Sequence, residues 1–359
     1  MIVFVHISEL RVSNVRSYEL FSARFDGELT LLLGRNGSGK TTLLEALYYL
    51  CQGTSFRGRD RDMIAHDSTR ADLALTLQDG ETRRGTLQQT PDDRIKKTFV
   101  IADHTSQRLL VRHRLPVVLF EPDELRLLSS SPERRRRFFD GVLTRLYPEY
   151  AAIINRYQRT LLQRNELLKR REEIPQQSWE DQLFVWDLKF ADLALEITRQ
   201  RREFAVISNS HLSELYSRMA DSAHHVRVSY HSSIPDENYQ QKLLDRLHAE
   251  RIADSYRGHT SAGPHRDDFL LTLDGHLASE AASRGEMRTI MLAYKLLEVQ
   301  LQRETSGRTP LILLDDVFSE LDRSRESHLM HALEAHQTII TATDLRDELK
   351  AAAQIITLA

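Results

Sequence analysis

Apolar and polar residues alternate over the first third of the chain, whereas through its middle the apolar ones recur at helical spacing. Over residues 1–33 the alternation passes through Val3, Val5 and Ile7 and resumes at Leu20 and Phe25, which predicts β-strands. Leu29-Thr30-Leu31-Leu32-Leu33 is a continuous apolar run, the pattern of a strand buried on both faces. From Thr41 the period changes, and Leu43, Leu44, Leu47 and Leu50 predict a helix. Residues 71–88 read as a hairpin, with Leu73, Leu75 and Leu77 alternating into an Asp79-Gly80 turn. Val117-Val118-Leu119-Phe120 is another buried strand.

At Ser131-Pro132, an N-cap followed by an N1 proline, helical periodicity sets in and continues to about residue 220. Ile153, Tyr157, Leu161 and Leu168 share one face, and Leu183, Trp186, Phe190 and Ile197 share another. The break falls at Ile174-Pro175, where proline lacks a helix-interior N–H and excludes Ile174 from the α region. Strand patterning returns at Val226, Val228 and Tyr230, again at Phe269–Leu273 before an Asp274-Gly275 turn, and at Leu311–Leu314 and Thr338–Ile340. Between these, Ile290, Leu292, Leu296, Leu297 and Leu301 mark an amphipathic helix.

Chemistry enters at the first strand-to-helix junction. Gly34-Arg35-Asn36-Gly37-Ser38-Gly39-Lys40-Thr41 is a complete G-x-x-x-x-G-K-[ST] loop between a buried strand and a helix. Its glycines let successive N–H groups turn toward phosphate oxygens, and the helix N-terminus adds partial positive charge. Lys40 would reach the β- and γ-phosphates, and the Thr41 hydroxyl would complete a Mg²⁺ shell. The expected nucleotide contacts are Gly34, Arg35, Asn36, Gly37, Ser38, Gly39, Lys40, Thr41 and Thr42. Leu311–Leu314 ends in Asp315-Asp316, where the first carboxylate suits Mg²⁺ and the second suits the place of an attacking water. Lys40, Asp315 and Asp316 are thus the catalytic candidates, and Thr41 and Asp315 the metal ligands.

Most of the 359-residue chain separates the two halves of this site, a layout that resembles the heads of ABC and SMC-type ATPases. Ser283-Arg284-Gly285-Glu286, at the start of the amphipathic helix, resembles their signature motif, which contacts the γ-phosphate held by the opposite subunit. A plain helix N-cap is the other reading of the same residues. Ser319-Glu320-Leu321-Asp322 resembles the D-loop of such a dimer interface. Thr343 sits where related ATPases carry a His-type switch residue, or is a strand-end cap.

Several blocks narrow the resemblance to the RecF family. Asn14-Val15-Arg16-Ser17-Tyr18 is similar to its N-F-R-N-Y segment, and Thr54-Ser55-Phe56-Arg57-Gly58 to its R-S-F-R turn. Phe120-Glu121-Pro122-Asp123-Glu124-Leu125 with Ser131–Asp140 resembles its S-P-E-D-L…S-P-x-x-R-R-x-F-L-D block. Gly263-Pro264-His265-Arg266-Asp267-Asp268 and Asp315–Asp322 match G-P-H-R-D-D and D-D-V-F-S-E-L-D. These blocks reach from near the N-terminus to about residue 345. Arg284 and Glu286 stand at signature positions where Gln is common, and Glu121 replaces a usual Ser.

The resemblance implies an α/β ABC-type P-loop ATPase head of mixed sheets and helices, with an inserted helical lobe and no long coiled coil. The expected head comprises 1–125 and 225–359, and the lobe 126–224. Function follows as an expectation: an ATP-dependent DNA-binding protein of recombinational repair and replication-gap processing. ATP and Mg²⁺ would drive homodimerisation into a clamp on double-stranded and gapped DNA. Slow, DNA-dependent ATP hydrolysis would release it, with RecR and RecO as partners.

Composition agrees without deciding. The net charge of −3 gives no global attraction to DNA, so contact needs a local basic patch. Arg134-Arg135-Arg136-Arg137 is the densest run and the candidate DNA contact, although four consecutive positions surround a helix turn, and a solvated face or pairing with Glu133 and Asp140 more often accounts for such a run. Arg57, Arg59 and Arg61 form a second set. The single cysteine, Cys51, reads as a small buried hydrophobe. His265 reads as structural. No run approaches the roughly eighteen apolar residues of a membrane span, and the N-terminus reads as a strand rather than a signal peptide, so the chain is expected to be cytoplasmic and off the membrane. Each arm of the helical hairpin has roughly 25–40 residues, several tens of ångströms at ~1.5 Å per residue, far short of an SMC tether. A transporter cassette and a nuclease are the poorer alternatives.

Overall fold

The computed structural model describes residues 3–220, 222–343, 351 and 353–358. Asp344, the last residue of the Thr341–Asp344 segment, lies outside the described residues. Two compact units divide the chain: Met1–Leu125 with Tyr294–Ala359, and Arg126–Ala293.

The first unit holds a five-stranded sheet in the order Gln354–Thr357, Leu29–Leu33, Thr338–Ala342, Leu311–Asp315, Val117–Phe120. Every pairing in it is parallel. Parallel strands covered on both faces need apolar residues throughout, and Val117–Phe120 and Thr338–Ala342 are buried at every position. A six-stranded antiparallel sheet follows the order Tyr18–Arg24, Ile7–Val15, Arg70–Leu77, Thr82–Gln89, Ile95–Ile101, His104–Ser106. The expected hairpin is its third pair of neighbours, Arg70–Leu77 with Thr82–Gln89, turning through residues 78–81. Helix Lys40–Gln52 is buried along nearly its whole surface and joins both sheets in one apolar core with Leu10, Leu75, Leu119 and Leu313. Cys51 belongs to that core, and burial pushes its thiol up to about 12.

The second unit is mainly helical. Helices Pro148–Lys169 and Gln176–Asn209 form a hairpin whose turn ends at Pro175, the residue before the second helix. Ser131 caps Pro132–Leu146, its hydroxyl accepting from the Arg134 N–H. Helix Tyr239–Arg257 packs against the hairpin. The expected lobe ended at residue 224, but compactness carries the unit on to Ala293. The reason is a three-stranded antiparallel sheet, Val226–His231, Asp268–Leu273 and His276–Leu277, that packs onto these helices rather than standing with the head. Phe269 of that sheet stacks on Phe139 with ring centroids 4.1 Å apart.

Two buried arginines cross-link the helices. Arg201 donates to both oxygens of Asp140 and to the Pro264 carbonyl. Arg164 donates to Asp187 at 2.6 Å and to Thr260 Oγ1 at 2.7 Å. His265 lies among them, with Tyr157 Oη 2.7 Å from Nδ1 and the Thr260 carbonyl 3.0 Å from Nε2. Burial pushes its pKa down to about 4, so it is a neutral, structural histidine. Among the described residues no helix is long and apolar enough to cross a membrane.

Candidate nucleotide-binding site

The parallel sheet brings the C-terminal ends of its strands to one edge. Leu33 is level with Ala342, and Thr341 with Asp315. Loops leaving that edge line a cavity of about 550 Å³, built from Asn36, Gly37, Gly39, Lys40, Thr41 and Thr42, then Asp315, Asp316 and Thr341, and finally Arg16, Ser17, Arg57 and Pro122. The volume is in the range that small-molecule ligands fill.

Local sterics explain the loop. Gly37 and Gly39 both have φ +86, the left-handed region where a side chain is strained. A Cβ on Gly39 would lie 2.6 Å from the Tyr18 ring, which covers the loop and donates from Oη to the Ser38 carbonyl at 2.9 Å. Helix Lys40–Gln52 starts without a side-chain cap, so its first N–H groups face the loop. Lys40 is buried, and its Nζ donates to the Gly34 and Arg35 carbonyls at 2.6 and 2.8 Å.

The acidic half meets the loop directly. Thr41 Oγ1 donates to Asp315 Oδ1 at 2.9 Å, and Thr341 Oγ1 donates to the same oxygen at 2.8 Å. Thr341 Oγ1 also accepts the Asp316 N–H at 3.0 Å, holding Asp316 in a left-handed turn. Burial raises the Asp316 pKa, and Asp315 beside it adds to the effect. Thr343, the expected switch position or strand-end cap, is an exposed bend residue past the strand end, and it is Thr341 that meets the acidic pair. The signal for Thr341 was its register: it pairs across the sheet with Asp315.

Glu121 follows the buried strand Val117–Phe120, next to the Asp315 strand. Its carboxyl is pushed up to about 7, first by burial and then by the Glu124 charge, with Asp315 contributing. Lys295 opposes the shift but serves Glu124 at 2.9 Å and Glu298 at 3.3 Å.

The remaining candidates fall elsewhere. Ser283, Arg284, Gly285 and Glu286 belong to the second unit, at the start of helix Arg284–Ser306. There Ser283 N donates to Glu286 Oε2 at 2.7 Å and Glu286 N to Ser283 Oγ at 3.3 Å, a reciprocal capping box. Within the D-loop segment, Asp322 caps helix Arg323–Leu333 by accepting the Arg325 N–H at 3.0 Å. The arginine run splits: Arg135 forks onto Asp268 and Arg136 donates to the Asp267 carbonyl, whereas Arg134 and Arg137 are exposed. Arg137 does pair with Glu133, at 2.9 Å, but Asp140 is taken by Arg201. In the second basic set, Arg61 pairs with Asp93 and Arg57 lines the nucleotide cavity.

The family model described as "RecF/RecN/SMC N terminal domain" matches residues 6–358. A DNA replication and repair protein RecF from Lactobacillus acidophilus is 32% identical, covering 95% of this chain and 93% of that protein. The corresponding protein of Lactobacillus delbrueckii subsp. bulgaricus is 34% identical, over 95% and 91%. This chain belongs to the RecF family. Among solved structures, the recombination mediator protein RecF–ATP superposes with TM-score 0.85 at 27% identity, over 97% of this chain and 94% of that one. An Smc head bound to the C-winged helix domain of ScpA, at 15% identity and TM-score 0.53 over 98% and 93%, shares the fold alone. The RecF-family chain is thus an α/β head of the ABC/SMC ATPase type, and the motifs that assemble its cavity are those that identified the family.

Proposed function

We propose that this chain is an ATP-dependent DNA-binding protein of replication and recombinational repair, in which ATP joins two copies into a clamp and slow hydrolysis releases them. The observation that carries this reading is the convergence of Lys40, Thr41, Asp315 and Asp316 on one cavity at the C-terminal edge of a parallel sheet. The relatives are named DNA replication and repair proteins, and a RecF–ATP structure described in the RecFOR pathway supports ATP as ligand and RecO and RecR as partners.

Thr41 and Asp315 would hold Mg²⁺. A hydroxyl and one carboxylate oxygen 2.9 Å apart suit an ion that takes its remaining ligands from phosphate and water. When bound, that ion would offset phosphate charge. Among the described residues no three His, Cys, Asp or Glu side chains cluster as a metal site, so the ion would be bound together with nucleotide. Lys40 exchanges the Gly34 and Arg35 carbonyls for phosphate oxygens. Asp316, its pKa raised, orients the attacking water and takes its proton; Asp reaches less far than the Glu usual in transporter cassettes, which suits slow turnover. Ser283 and Gly285 of a second copy would close over the γ-phosphate, so that hydrolysis removes the group both copies share. Arg134 and Arg137 are the DNA contacts retained from the run, with affinity that falls as salt rises.

Sedimentation of the full chain tests this reading, with no nucleotide, ADP or ATP, each with and without gapped duplex DNA. The expected result is a dimer with ATP, strengthened by DNA and lost in Lys40→Met and Ser283→Arg. A mass indifferent to nucleotide in the unmodified chain would overturn the shared-site mechanism.

A further inference from the structure

Glu45 is a carboxylate with no exposed surface, within the apolar stretch Leu43–Cys51 of helix Lys40–Gln52. A buried charge is strongly unfavourable unless its oxygens are matched, and here each one is. Arg16 Nε donates to Oε2 at 2.5 Å and Arg16 Nη2 to Oε1 at 2.8 Å, a two-pronged, charge-assisted pair. Ser55 Oγ donates to Oε1 at 2.5 Å and in turn accepts the N–H groups of Arg57 at 3.0 Å and Gly58 at 3.3 Å. One carboxylate therefore ties down two turns remote in sequence. Each turn carries a guanidinium to the wall of the nucleotide cavity, since Arg16 and Arg57 both line it.

The Arg16 turn is itself constrained. Arg16 has φ +49, and its N–H is held by the Met63 carbonyl at 2.9 Å. Glu45 engages one edge of the guanidinium and leaves Nη1 for another acceptor. Arg57 forms no ion pair among the described residues. A guanidinium on a flexible stem loses rotamer freedom when it clamps a phosphate, and a fixed counter-charge behind it removes that loss in advance.

We infer that Glu45 is the positioning residue of this cavity, fixing Arg16 directly, and the Arg57 turn through Ser55, in the orientation that receives a nucleoside triphosphate. This rests on the reading that the cavity binds ATP. Glu45 touches no nucleotide and acts through the two arginines.

The test measures the Kd of a fluorescent N-methylanthraniloyl ATP with Mg²⁺, and KM and kcat for ATP, on the full chain. Glu45→Gln keeps an acceptor for Ser55 but loses the charged fork. It is expected to weaken ATP binding about tenfold and raise KM, with kcat within twofold. Arg16→Ala is expected to do the same, and the Arg16→Ala/Glu45→Gln double variant to be no weaker than Arg16→Ala alone. Additive losses in the double variant, or unchanged affinity in Glu45→Gln, would overturn the inference while leaving ATP as the ligand. Should Glu45→Gln fail to fold, Ser55→Ala supplies the second arm: a few-fold loss that vanishes in an Arg57→Ala background supports the inference, and a loss that persists there overturns it. Failure of the unmodified chain to bind ATP would instead remove the nucleotide reading itself.

Discussion

Glu121→Gln should stabilise the protein by an amount that grows as pH rises from 4.5 and is complete above about 7. The Glu121 carboxyl is pushed from the ordinary 4.5 up to about 7 by burial, with Glu124, Asp315 and Asp123 adding negative charge and Lys295 partly offsetting them. A carboxyl whose folded pKa is raised binds its proton more tightly in the native chain. The stability this contributes is complete below pH 4.5 and is lost as pH rises through about 7. At ~1.36 kcal/mol per pH unit the shift corresponds to roughly 3 kcal/mol, and screening by the water that still reaches the side chain reduces it to about 2 kcal/mol. Glutamine keeps the shape and carries no charge, so the variant should melt about 4–8 °C higher than the unmodified chain at pH 8, with the gap closing toward pH 5. Thermal melts followed by circular dichroism across pH 5–8 measure this. A gap of constant size would show that packing, not ionisation, sets the difference, and a gap that widened toward acid would refute the assigned sign.

Three further outcomes follow from the geometry. Gly39→Ala places a Cβ 2.6 Å from the Tyr18 ring at φ +86, so it should cost about 2 kcal/mol in denaturant unfolding and abolish measurable ATP binding by calorimetry. Arg164→Met leaves Asp187 and Asp254 buried without their shared cation and should cost about 3–5 kcal/mol by urea titration; a loss below ~1 kcal/mol would refute the role of Arg164 as their buried counter-charge. Glu286→Gln preserves the cap on Ser283 but removes a negative charge beside it, so ATP-driven dimerisation should tighten about fivefold by sedimentation, whereas weaker dimerisation would make the carboxylate an attractive contact.

Much of the nucleotide site was legible because its constraints are local. The glycine loop needs left-handed backbone, the helix after it needs an apolar period, and Asp315-Asp316 ends a run of buried strand residues, so each leaves a mark within a few positions. What the pattern hid is non-local. Thr341 reads as any strand threonine until cross-strand register sets it on Asp315, and Glu45 reads as an interruption of an apolar helix until Arg16 meets it. The edge strand Gln354–Thr357 escaped because it is short and half-polar, and helix Tyr239–Arg257 because only Tyr239, Leu243, Leu247 and Asp254 are buried along it, one of them charged. The boundary placed at residue 224 failed for a related reason: a return to strand pattern says that a sheet begins, not which helices it will cover.

The hydrogen bonds of the cavity also say what nucleotide binding must exchange. Lys40 already holds two carbonyls, Asp315 Oδ1 already accepts two hydroxyls, and the Ser283 hydroxyl and Glu286 carboxylate already satisfy the start of their helix. A ligand that trades one neutral hydrogen bond for another gains only about 1 kcal/mol per contact. A ligand carrying several negative charges replaces carbonyl dipoles with anionic oxygens at Lys40, adding an ion-pair attraction that the carbonyls do not supply. The site is therefore selective by charge: ligands poor in phosphate gain little from opening it, and each added phosphate gains disproportionately. Under the proposed shared site, the Glu286 carboxylate would set the opposite bias, opposing the same anion that Ser283 would receive from a second copy. On that proposal, tight nucleotide capture with reluctant closure would give a switch that binds ATP readily and dimerises only when something else, such as DNA, contributes.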